Sequence, residues 1–131
     1  MDNHLVESYI QNPIHNKTIE NPTISKTQDN KLCGDAITIH LKIQNDIITN
    51  YSYTGDYTII TGAAASFLWD IIIGENIQTI TKRNLKTLEE QQFIVSPRRK
   101  RSTVTALLAC QNAIYQYQNK QEKKTFEDLL Y

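Results

Sequence analysis

The sequence is poor in several residues that other protein classes depend on. It holds two cysteines among 131 residues, Cys33 and Cys110, enough for one disulfide at most. A reducing compartment disfavours even that pairing. With only four glycines there is no glycine-rich loop of the kind that cradles phosphate. The 14 basic residues are cancelled by 14 acidic ones, so no overall field draws the chain to nucleic acid or to an anionic membrane. No apolar run approaches the roughly 20 residues needed to span a bilayer, and there is no signal-peptide core. The chain is therefore expected to be cytoplasmic, without membrane contact. Also absent are a nucleophile–base–orienter set and a pair of carboxylates sharing one face, so no enzyme is expected.

What is present suits one soluble domain. A hydrophobic share of 40% over 131 residues is enough for a single core without metal or disulfide support. The chain is organised around Asn30-Lys31-Leu32-Cys33-Gly34-Asp35 and the strand that follows. Ile37, Ile39, Leu41 and Ile43 alternate with Thr38, His40, Lys42 and Gln44, the period of a half-buried strand. Gly34 relaxes the backbone before that strand, and Asp35 forms a turn at its mouth. A thiol and a carboxylate two residues apart at a sheet edge can bind a metal or present a reactive thiolate.

The other elements follow in order. A short helix is expected from about Asp2 to Gln11, stopped by Pro13, with Leu5, Val6, Tyr9 and Ile10 as its apolar stripe. The stretch from Thr18 to Asn30 reads as a loop or as an edge strand around Thr23–Thr27. Asn45-Asp46 makes a tight turn, and Ile47 to Tyr53 returns as an antiparallel partner ended by Thr54-Gly55-Asp56. A helix follows from about Thr58 to the stop at Gly74, then a helical turn over Asn76–Lys82 and a helix capped by Asn84. The basic run Arg98-Arg99-Lys100-Arg101 reads as a solvated loop leading into a helix from Ser102 to Gln118. Residues 119–131 are set apart as a tail or loosely docked helix behind a domain of residues 1–118. Strands first and helices after give an α+β fold, a small three-stranded antiparallel sheet with helices packed on one face.

The ordered motifs resemble a known family, the U-type iron–sulfur cluster assembly scaffolds (NifU N-terminal, IscU-like and SufU-like proteins). Tyr9-Ile10-Gln11-Asn12-Pro13, Cys33-Gly34-Asp35, Tyr53-Thr54-Gly55 with the small-residue helix Gly62 to Ser66, and Ser96-Pro97 with its basic residues carry the likeness. It extends over roughly residues 4–118. The family has three cysteine ligands, one per motif. Here the second position falls at Thr58 and the third near Ser102, with Thr105 and Ala106 as alternatives, so only Cys33 and Asp35 carry over. The glycine after the family's Asn-Pro is also missing, with Lys17 near its place.

The resemblance implies a degenerate scaffold that binds a metal or a persulfide transiently through Cys33, with Asp35 as a labile oxygen ligand. Its cargo would be an iron–sulfur cluster or a single iron or zinc ion. A cluster wants about four protein ligands, mostly thiolates, which two Cys33–Asp35 pairs reach only in a homodimer. Pro97, Arg98, Arg99, Lys100 and Arg101 occupy the loop where the family docks a cysteine desulfurase or a chaperone. An alternative is an interaction module that keeps the docking and carries no cluster. A small RNA-binding protein is a third reading, disfavoured because no aromatic residues interleave the basic run. Cys110 and His40 read as a core thiol and a solvated strand residue, and His4 and His15 receive no role.

Overall fold

The computed structural model describes residues 3–32 and 34–130. The expected helix start at Asp2, the thiol of Cys33 and the terminal Tyr131 lie outside the described residues. Helix α1 spans His4–Gln11, capped by Asn3, whose side chain accepts from the Val6 amide. Strands β1 (Ile24–Asn30), β2 (Asp35–Gln44) and β3 (Ile47–Asp56) form one antiparallel sheet in that order. Helices α2 (Ile59–Ile72), α3 (Ile77–Ile80), α4 (Leu85–Glu90), α5 (Lys100–Tyr117) and α6 (Phe126–Leu130) follow, with a 3₁₀ turn at Pro97–Arg99.

The alternation in β2 decides which face is buried. Ile37, Ile39, Leu41 and Ile43 point into the core, where burying each contributes about 1.5–3 kcal/mol. Helix α5 lies against β1 and β2, α2 packs on α5, and α1 packs on α2. The α+β architecture with its three-stranded sheet is as expected. On the other face His40 spans all three strands. Its Nδ1 bonds to Ser25 Oγ at 2.8 Å and its Nε2 to Thr54 Oγ1 at 2.9 Å. His40 is thus a cross-strand bridge with both ring nitrogens used, not a freely solvated side chain.

The tight turn at Asn45-Asp46 has φ of 52° and 63°, the left-handed pair that matches strand twist in a two-residue hairpin. Three boundaries differ from expectation. β1 runs on to Asn30, because Asn30 pairs with Asp35 and the ladder continues to the mouth of the Cys33 loop. β3 does not end at Thr54-Gly55-Asp56 but runs through it. Gly55, at φ 137°, pairs with Ile37, and a Cβ there would sit 2.2 Å from the Ala36 carbonyl oxygen. The glycine permits close approach within the strand. The third difference is the basic run. Arg98 and Arg99 lie in the 3₁₀ turn, and Lys100 and Arg101 already belong to α5, so the segment is a helix entrance and not a loop. Proline at the first position of that turn supplies a preset φ where no amide donor is needed. Phe126 and Leu129 of α6 are buried in the same core as the sheet and α5.

Candidate functional site

Asp35 opens β2 and is buried, at 4% exposure. A buried carboxylate needs donors, and two threonines supply them. Oδ1 accepts from the Thr58 amide at 2.5 Å and from the Thr58 hydroxyl at 2.9 Å, while Oδ2 accepts from the Thr61 hydroxyl at 2.7 Å. Thr58 is the N-cap residue of α2, yet its own side chain makes no capping bond. Asp35 brings the negative charge that a helix N-terminus favours, reaching across from the sheet. The oxygens expected to act as labile metal ligands hold the sheet mouth to α2.

Cys33 belongs to the four-residue connection between Asn30 and Asp35, the last rung of the β1–β2 ladder. Gly34 takes φ 74°, and Leu32 stands 81% exposed. Asn30 is buried, and its Oδ1 accepts from Arg101 Nε at 3.2 Å. Arg101 also stacks over the Phe126 ring at 4.0 Å and faces Glu127 at 4.0 Å. Lys100 pairs with Glu89 at 3.8 Å. Lys100 and Arg101 are therefore engaged inside the chain.

Arg98 and Arg99 line a cleft of about 710 Å³, which they share with Thr58, Ser102, Ile10 and Ile59. The positions expected for the second and third ligands thus meet on one surface. Of the three candidates for the third position, only Ser102 lines the cleft. Thr105 and Ala106 are buried, and the Thr105 hydroxyl donates to the Arg101 carbonyl at 3.0 Å. Thr61 and Ile59 were not singled out in the sequence. The available signal for Thr61 was its place one helical turn beyond Thr58, facing a carboxylate that had to find donors.

Cys110 is fully buried in α5, and burial pushes its thiol far above the usual range. It is a core residue, as its small neighbours Ala109 and Ala113 suggested. His15 stacks on Trp69 with centroids 4.0 Å apart. Desolvation lowers the His15 pKa from 6.5, partly opposed by Asp70. Among the described residues no group of three or more His, Cys, Asp or Glu side chains is placed to hold a metal ion. Nor is any helix among them long and apolar enough to cross a membrane.

A family model described as NifU-like N terminal domain matches residues 2–124. The chain is 31% identical over 62 residues to the iron-sulfur cluster assembly scaffold protein IscU of Thermotoga maritima, covering 47% of this chain and 44% of that protein. It is 31% identical over 75 residues to the zinc-dependent sulfurtransferase SufU of Bacillus subtilis, covering 57% and 50%. The matches thus span about half the length of these curated relatives. Among solved structures, the N-terminal NifU-like protein of Brucella abortus superposes with a TM-score of 0.73 at 17% identity, over 90% of this chain and 94% of that one. A SUF-system cluster assembly scaffold of Fervidobacterium islandicum gives 0.70 at 17% identity, over 86% and 95%. At such identities these structures establish the shared fold.

Proposed function

The chain belongs to the NifU-like N-terminal domain family, and from that membership we propose that it is a scaffold-type protein of iron–sulfur cluster assembly that carries sulfur on Cys33. The observation behind this reading is the donor set. Thr58 and Ser102 offer hydroxyls, whose protons are not released near neutral pH, and the Asp35 oxygens are committed to Thr58 and Thr61. A cluster wants about four ligands, mostly thiolates, and this donor set adds no second thiolate to Cys33 for a cluster held within one chain.

A single thiolate can still accept sulfur. The Cys33 thiolate attacks the terminal sulfur of a persulfide on a cysteine desulfurase. The donor's S–S bond breaks, the donor cysteine leaves as thiolate, and Cys33 becomes the persulfide with no net oxidation. The docking partner, a desulfurase or a chaperone, would meet the exposed side chains of Leu32 and Ile59 together with Pro97, Arg98 and Arg99. Lys100 and Arg101, already paired internally, add less to that surface.

The test is anaerobic incubation with a cysteine desulfurase and cysteine, read by intact mass. A gain of one sulfur atom that disappears in Cys33→Ser supports the proposal. A pull-down of the desulfurase that survives Cys33→Ser, with no sulfur gained by the unaltered chain, leaves only the interaction module. A coloured, Cys33-dependent dimer formed with iron and sulfide would replace sulfur carriage with metal binding by Cys33 and Asp35 across a homodimer.

A further inference from the structure

We propose that the free edge of β1 pairs with β1 of a second copy of this chain, antiparallel about a two-fold axis at Thr27, joining the two three-stranded sheets into one. The two edges of the sheet are finished differently. On the β3 side the Tyr53 amide donates to the His15 carbonyl at 3.0 Å, the Ile48 amide to the Glu75 carbonyl at 3.1 Å, and the Gly74 amide to the Ile48 carbonyl at 2.9 Å. β1 is the other edge. Among the described residues its backbone bonds to β2 alone, apart from the Gln28 side-chain amide on the Asp29 carbonyl at 2.9 Å. Its helix-side residues Ile24, Lys26 and Gln28 stay half-buried, whereas the helix-side residues of β2 are buried.

Natural sheets protect an open edge with a proline, a bulge or a lysine turned outward. β1 has none of these. Its seven residues contain no proline, and its register with β2 runs unbroken from Ile24 to Asn30, while that of β2 with β3 shifts at Lys42/Ile43. Lys26 reaches back to Gln116 Oε1 of α5 at 3.4 Å and not out from the edge. Ser25 is held to His40 at 2.8 Å and Thr27 to Thr38 at 2.7 Å, so the strand is fastened to β2 and presents an ordered edge.

The order of side chains along β1 selects a second copy, in one register. Facing residues of an antiparallel pair share a side of the sheet, so Ser25, Thr27 and Asp29 face one another, as do Ile24, Lys26, Gln28 and Asn30. With the axis at Thr27 all seven residues pair. The Lys26 ammonium meets the Gln28 carbonyl oxygen, the Ser25 hydroxyl meets the Asp29 carboxylate, and Thr27 meets itself. Each contact sets a donor against an acceptor, and no like charges oppose. Centring the axis on Lys26 would set that charge against itself, and centring it on Gln28 would shorten the pairing. One strand edge is a small interface, so the dimer is concentration-dependent. The Asn30–Asp35 connections then lie at opposite ends of the paired strands, roughly 20 Å apart. Such a dimer cannot share a metal between two Cys33–Asp35 pairs, and it does not depend on sulfur carriage.

Sedimentation of the full chain in chelator, over a series of concentrations, reads the association. A dimer should form as concentration rises, equally in Cys33→Ser. The charge at position 28 then sets the sign. Gln28→Glu, facing Lys26 of the second copy, should tighten the dimer about fivefold, and Gln28→Lys should weaken it about fivefold, with the circular dichroism of each unchanged. In the Cys33→Ser chain, Thr27→Cys should cross-link to a dimer under oxidised glutathione faster than Asp29→Cys, because only Thr27 faces itself. Cys110 is buried and takes no part. A chain that stays monomeric at every concentration overturns the inference, as does a dimer lost in Cys33→Ser. Equal dimer strength in Gln28→Glu and Gln28→Lys also overturns it, as does cross-linking of Asp29→Cys as fast as that of Thr27→Cys.

Discussion

Replacing Asp35 by alanine should cost stability even with every metal removed. The carboxylate holds the Thr58 amide and hydroxyl through one oxygen and the Thr61 hydroxyl through the other. Loss of the acceptor at the α2 N-terminus costs about 1 kcal/mol, the usual effect of removing an N-cap. Thr61 is fully buried and loses a charge-assisted bond, which adds about 2 kcal/mol. The sum is about 3 kcal/mol. With an unfolding entropy of roughly 2.1 cal/mol/K per residue over 131 residues, Tm should fall by roughly 10 °C. Thermal and urea unfolding in chelator provide the measurement, because a bound metal would stabilise the folded chain by mass action. Asp35→Asn, which keeps an acceptor for Thr58 but loses the charge, should fall between wild type and alanine. The reasoning is refuted if Asp35→Ala melts within about 2 °C of wild type in chelator. It is refuted decisively if the same variant then loses a stabilisation that added zinc or iron gives the wild type, which would make the carboxylate a ligand first.

Two further outcomes follow from burial. Burial lowers the His40 pKa from 6.5, so on acidification the unfolded chain takes up this proton before the folded one. Stability should therefore hold above about pH 6.5 and fall below it, and urea midpoints against pH should slope less steeply in His40→Gln. Cys110, fully buried with its thiol pushed up, should resist iodoacetamide at mildly alkaline pH in the native chain and react once urea unfolds it. Labelling of native Cys110 would remove its assignment to the core.

The elements were legible wherever one residue's neighbours in sequence are also its neighbours in the fold. The alternation from Ile37 to Ile43 marked the buried face of β2, Asn45-Asp46 marked the hairpin, and Asn84 marked the start of α4. The ordered motifs, read together, also led to the right family. The end of β1 was harder to see, because Ser25 to Asp29 lacks large apolar residues and its pairing is decided by β2. The basic run misled because four like charges suit a solvated loop. Lys100 and Arg101 instead enter a helix whose face carries Val104, Leu107 and Leu108 into the core.

The sequence by itself determined the periodic elements, their order and the kind of domain they build, since hydrophobic period and turn chemistry act over a few residues. Only the tertiary structure decided what the functional side chains touch. Asp35 meets Thr58 and Thr61 across 23 and 26 residues of chain, and Arg101 meets Asn30 across 71. Such partners are chosen when α2 and α5 pack with the sheet, because a buried charge or donor must find its complement among whatever that packing brings within reach.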